Sequence, residues 1–161
     1  MDVIDTLTQQ WSTEKPHLDT GPMAMMGRLL RIAKQIEAAL AQLHKQYDLK
    51  LGEFDVLATL RRSGAPYRLT PSELINAMLL TSGAMTNRLD KLTSKGLIVR
   101  IHSEQDRRSV AVELTERGRT VIDALLEEHV ALQHRLVEGL NVSQREALTA
   151  LLKEWQQQLE S

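Results

Sequence analysis

At Gly96 the spacing of apolar residues changes from helical to alternating, and the alternation lasts for a single hairpin. Before it, Met85, Leu89 and Leu92 recur every three or four residues, which places them on one face of a helix. After it, Leu97, Val99 and Ile101 share one side of a strand, and Val110, Val112 and Leu114 answer them beyond a polar tip. The rest of the chain carries helical periods, so the fold class is mainly α with one small β-hairpin.

The segments before the hairpin are short and sharply punctuated. In "LTPSELINAM", Thr70 can cap a helix, Pro71 suits its first position and Glu73 completes a capping box. "LLTSG" interrupts that helix, and "SGAMTNRLDKLTSKG" forms another, capped by Thr81 or Ser82 and stopped by Gly96. Two short helices across a small turn make a helix-turn-helix candidate. Upstream, "DVIDTLTQQW" predicts a small extra helix ending near Pro16. A long amphipathic helix follows Pro22, with Leu29, Ile32, Ala33, Ile36, Leu40, Leu43 and Tyr47 on its stripe. A shorter helix runs from about Gly52 to Arg62, and "RSGAPYR" breaks it. Downstream, "LTERG" opens a helix at Thr115, and Ser143 with Glu146 forms a capping box for a last helix striped by Leu148, Leu151, Leu152, Trp155 and Leu159. The small middle cannot cover the stripes of these long outer helices, which implies burial against a second copy of the chain.

Composition narrows the function. The 161 residues, 42% hydrophobic, suit one globular domain with a real core. With no cysteine, disulfides, thiolate metal sites and thiol redox sensing are excluded. The acidic, mixed start lacks the pattern of a secretory signal, and no apolar run reaches membrane-spanning length, so a soluble cytoplasmic protein without membrane partners is expected. The net charge of −1 hides an uneven distribution: from Arg61 to Arg119 there are 11 Lys/Arg against 6 Asp/Glu, and the remainder is acidic. That is a local footprint for a polyanion. His17, His44, His102, His129 and His134 complete no metal-ligand pattern, and the five-residue spacing of His129 and His134 is poor for one helix face, so no metal is expected. No nucleophile elbow, P-loop or zinc-protease motif is present, and neither enzymatic activity nor a cofactor is expected.

On the helix after "LLTSG", Ser82, Gly83, Asn87, Lys91 and Ser94 lie on or near the side opposite the apolar face. A small, polar outward face carrying an amide and an ammonium suits a DNA major groove. The hairpin that follows, with Asp106, Arg107 and Arg108 at its tip, gives the order of a winged helix-turn-helix. Here "SGAMTNRLDKLTSKGLIVR" and "DRRSVAVELTERG" resemble the MarR family of bacterial regulators, whose Asp-x-Arg wing and Leu-Thr-x-x-Gly helix start are matched by Asp106, Arg108, Leu114, Thr115 and Gly118.

The resemblance runs from about Met23 to Leu159. It implies a winged helix-turn-helix at about 51–114, flanked by dimerisation helices at about 1–50 and 115–161. It also implies a homodimer on palindromic double-stranded operator DNA. The candidate DNA contacts are Ser82, Thr86, Asn87 and Lys91 on the recognition helix, Arg107 near phosphates and Arg108 in the minor groove, with Asp106 shaping the tip.

Arg88 stands apart, because on the helical wheel it flanks the apolar side and not the groove side. A guanidinium turned partly inward requires an anion. Asp55 is a candidate partner, Arg100 adds a second positive charge, and Trp11 can supply a flat aromatic surface. Such a set suits a planar, acidic heterocycle. Trp11, Asp55, Arg88 and Arg100 together resemble the effector site of the urate-responsive, PecS-like branch of the family, which implies a repressor released by urate or a related purine. A different phenolic or carboxylate effector, or a winged-helix module that binds protein in place of DNA, stays open as an alternative.

Overall fold

The computed structural model describes residues 1–78, 82–102 and 110–161, without the side chain of Ser82. Its internal contacts divide it into two compact units, Met1–Gln42 and Leu43–Ser161. Among the described residues no helix is long and apolar enough to cross a membrane.

The first unit holds α1 (Val3–Glu14) and most of α2 (Gly21–Lys45). The extra N-terminal helix is therefore present, and a reciprocal cap starts it: the Asp2 carboxylate accepts from the Asp5 N–H at 2.8 Å, and the Asp5 carboxylate from the Asp2 N–H at 2.9 Å. Arg28 of α2 reaches both carboxylates, at 3.1 Å to Asp2 and 2.6 Å to Asp5. These groups are exposed, so they fix the register of the two helices more than they add stability. Beside them Gly27 leaves room for the buried Ile4 side chain, which would lie 3.1 Å from a Cβ at that position.

The second unit contains α3 (Leu51–Arg62), β1 (Arg68–Leu69), α4 (Pro71–Met78), α5 (Ser82–Ser94), β2 (Ile98–His102), β3 (Val110–Leu114), α6 (Glu116–Leu136) and α7 (Val142–Glu160). Its core joins Val56, Leu57 and Leu60 of α3, Leu74 of α4, the expected Met85, Leu89 and Leu92 of α5, and Ile122 and Leu125 of α6. The α4 start follows the sequence reading in part. Thr70 accepts from the Glu73 N–H at 3.2 Å, but the Glu73 carboxylate takes the Thr70 hydroxyl, at 3.1 Å, and not the backbone N–H of a full capping box.

Three expectations need correction. First, the hairpin gains a third antiparallel strand, in the order β1-β3-β2, because "RSGAPYR" is not only a break. Arg68 pairs with Glu113 in register, and their side chains form an ion pair at 2.9 Å. Second, the phase of β2 is shifted by one residue. Ile98 is opposite Leu114 and Arg100 is opposite Val112, so Ile98, at 1% exposure, carries the core face while Val99 is 42% exposed. Leu97 is buried, but as the residue before the strand, which breaks the simple alternation. Third, α7 begins two residues earlier than Ser143 implies. Asn141 and Gln144 exchange side-chain to backbone bonds, both at 2.9 Å, because an asparagine in extended conformation is a cap of equal quality and comes first.

Gly96 stops α5 with φ +72°, a conformation that only glycine adopts without strain. The chain then turns at Leu97, whose N–H donates to the Leu92 carbonyl and whose carbonyl accepts from Thr115, both at 3.1 Å. Thr115 also donates its hydroxyl to the Gly96 carbonyl at 2.7 Å and caps α6 by accepting from the Gly118 N–H at 2.9 Å. A Cβ on Gly118 would overlap the Leu97 carbonyl oxygen, which is backbone and cannot step aside. Gly118→Ala is thus expected to destabilise the fold by about 2 kcal/mol or more, through strain of the overpacking kind. Chemical denaturation of the two proteins measures this, and equal midpoints would contradict it.

Candidate functional site

α5 presents two different faces. Met85, Leu89 and Leu92 are buried, while Gly83, Thr86 and Asn87 are exposed and Lys91 is half-buried on the opposite side. The helix is held from behind by a buried charge: Glu53 of α3, 2% exposed, accepts from Lys95 at 3.0 Å through one oxygen and from the Lys50 N–H at 3.0 Å through the other. Lys95 also donates to the Asp48 carbonyl. Lys91 has the Lys50 ammonium beside it, and contact with that second cation lowers its proton affinity. Asp106, Arg107 and Arg108 lie outside the described residues, as does the side chain of Ser82.

The structure gathers part of the suggested ligand set. The Arg88 guanidinium lies over Gly52 at the start of α3, and among the described residues no carboxylate is within 4.0 Å of it. Asp55 is close enough to feel its charge without forming an ion pair. Loss of hydration raises the Asp55 pKa above its usual range, and the positive fields of Arg88, His129 and Arg62 oppose that rise. Arg100 is not free: it holds Asp90 of α5 at 2.5 Å. Trp11 belongs to the first unit, where it lines an open hollow of about 490 Å³ along α1 with Leu7, Gln10, Thr13 and Glu14.

One cluster escaped the sequence reading. His44, 1% exposed, and His129 each stack against Phe54, at ring distances of 4.2 and 4.4 Å, and lie 5.1 Å from one another. His44 Nε2 and His129 Nδ1 are 2.9 Å apart, so one ring donates and the other accepts. Their separation by 85 positions hides the pair from any local pattern. Burial, followed by the charge of His129, lowers the His44 pKa to about 4, and burial likewise lowers that of His129, against the field of Asp55. Among the described residues no group of three or more potential metal ligands occurs.

Residues 47–109 match the MarR family model. The HTH-type transcriptional regulator PecS of Dickeya dadantii is 40% identical over 149 residues, covering 92% of this chain and 90% of that one. The chain belongs to the MarR family. A point mutant of Escherichia coli MarR in complex with operator DNA superposes with a TM-score of 0.72 at 28% identity, covering 84% of this chain and 96% of that one. Bordetella bronchiseptica BpsR, described by the regulation of its DNA binding by 6-hydroxynicotinic acid, gives a TM-score of 0.72 at 25% identity, over 82% of this chain and 98% of that one. As a member of this family the chain is a winged-helix transcriptional regulator and not an enzyme, and its likeness to PecS fits the PecS-like branch.

The histidine pair gives the MarR-family chain a defined acid response. Because the folded-state pKa of His44 is lowered to about 4 from 6.5, the folded state binds fewer protons. Its contribution to stability is complete above pH 6.5 and is lost as pH falls toward 4, by up to about 3 kcal/mol. Denaturation midpoints should therefore fall over that interval, and the His44 ring resonances should show no titration near pH 6.5. A normal titration curve for His44 would contradict this.

Proposed function

We propose that this regulator represses transcription as a homodimer on palindromic DNA and is released by a small planar anion, with urate as the foremost candidate. The observation that carries the effector half is Arg88: a guanidinium on the recognition helix with no carboxylate in ion-pair range among the described residues. A cation in that position favours an anionic partner. The set proposed to hold it is Arg88 with Asp55, Trp11 and Arg100. Arg100 holds Asp90, so its part is to connect the hairpin to α5 and to exchange that partner for the ligand.

DNA binding is assigned to Ser82, Thr86, Asn87 and Lys91 in the major groove, with Arg107 on phosphate, Arg108 in the minor groove and Asp106 shaping the tip. The exposed polar face of α5 supports this, and so does the operator complex of E. coli MarR. Pairing of two copies is supported by apolar residues left open on the outer helices. α7 buries none of its residues, Leu151 is 65% exposed, and Leu126, Val130 and Leu136 of α6 and Met23, Leu30 and Ile32 of α2 are also exposed. In this reading the chain acts as one domain, with about 51–114 reading DNA and the flanking helices pairing. The ligand releases DNA only if it binds the DNA-incompetent arrangement more tightly. A carboxylated heterocycle is the second reading, favoured by the regulation of BpsR by 6-hydroxynicotinic acid.

Two measurements test this function. Arg108→Ala should weaken binding to a palindromic promoter fragment by about 1–3 kcal/mol and flatten the salt dependence. Equal affinity of the native protein for every duplex at physiological salt would remove the sequence-specific reading. Urate titrated into the protein–DNA complex should release the native protein and fail to release Arg88→Ala. Calorimetry without urate binding to the native protein would point instead to another acid.

A further inference from the structure

Gly52 is the second residue of α3 and is half-buried. A Cβ there would overlap the Arg88 guanidinium, meeting Cζ, Nε and one terminal nitrogen at nearly equal closeness. Three atoms of one planar group so placed mean that its flat side rests on the glycine. The N–H donors of a guanidinium lie in its plane. A flat seat on Gly52 therefore runs the donor edge along the surface of α3 and not into it. The seat is also electrostatically poor for a cation: it is the positive end of the α3 dipole, and Lys50 and Lys91 are near one another there.

We propose that Gly52 is a positioning residue of the effector site, whose missing side chain seats Arg88 flat on the first turn of α3 and leaves its donor edge open to a planar anion. This rests on the reading of Arg88 as the charge partner of the ligand. A planar acid with two acceptors on one edge can meet such a guanidinium in the bidentate manner. A residue with a β-carbon at position 52 tilts or displaces the guanidinium and loses that match. The contrast with Gly118 is instructive. There a Cβ would strike backbone, whereas at Gly52 it strikes the far end of a long flexible side chain. Gly52→Ala therefore moves the arginine and leaves the fold intact.

The experiment titrates urate into complexes of a promoter fragment with the native protein, Gly52→Ala, Arg88→Ala and the double variant, each complex formed at its own saturating protein concentration. In parallel, the side-chain Nε–H resonance of Arg88, identified by its loss in Arg88→Ala, is compared between the native protein and Gly52→Ala. The expected result is a release midpoint raised by roughly tenfold or more in Gly52→Ala. The double variant should do no worse than Arg88→Ala, and the Arg88 resonance should shift in Gly52→Ala. Release of Gly52→Ala at the native midpoint would overturn the proposal. If urate fails to release even the native protein, the effector reading falls and the resonance decides the positioning role: a shift supports it, and an unmoved resonance overturns it.

Discussion

The corner at Gly96 and Leu97 is the constraint on which the rest of the second unit depends. Three elements leave it in different directions, and two of them are fixed by hydrogen bonds to these residues. α5 ends with the Leu97 N–H on the Leu92 carbonyl, α6 begins with Thr115 bonded to both carbonyls of the corner, and β2 starts directly from it. The close approach is possible because Gly96 accepts a positive φ and Gly118 has no side chain to meet the Leu97 oxygen. Short bonds of this kind leave little freedom between the helix that faces outward and the hairpin beside it. A wing can follow a reader helix at a fixed offset only if such a junction is stiff.

Position along the other axis is set on α3. Apolar packing holds α5 against it through Leu89 and Leu92, but apolar contact alone tolerates sliding. The buried Glu53 does not, since its two oxygens are committed to Lys95 and to the Lys50 N–H. Loss of the Lys95 ammonium would leave the buried Glu53 carboxylate without its counter-charge, at a cost of up to about 3–5 kcal/mol. The register of α5 is therefore set by polar anchors at its C-terminal half, the Glu53–Lys95 pair just past its end and the Arg100–Asp90 pair, together with its apolar face.

Much of this architecture was legible in the sequence because it is written locally. Thr70-Pro71, Gly96 and Thr115 punctuate helices within four or five residues, and the Met85, Leu89, Leu92 stripe states its own buried face. What was not legible depends on residues far apart. β1 exists only because Arg68 and Leu69 find β3, some 45 positions away, and two residues carry no period of their own. The phase of β2 was misread because Leu97 is buried by the corner and not by the sheet, so an alternation counted from it falls one residue out. His44 and His129 read as isolated histidines until the fold stacks them on Phe54. Of the ligand set, the inward lean of Arg88 was readable from the wheel, but its seat on Gly52 and the engagement of Arg100 with Asp90 were not, because each depends on a second element.

These placements give the proposed switch a direction. Asp55 has two opposing influences: lost hydration raises its pKa, and the charge of Arg88 is the largest of the fields that lower it. In the proposed reading an anion that joins Arg88 offsets that field, so the anion and an ionised Asp55 compete for the influence of one guanidinium. The competition extends to His129, whose proton affinity Asp55 raises. Arg88 belongs to α5, and Asp55 and Gly52 belong to α3, so in the proposed reading an anion on Arg88 changes the force between these two helices. In that reading a ligand too small to reach both helices still shifts the balance, because it needs only to offset the charge of Arg88.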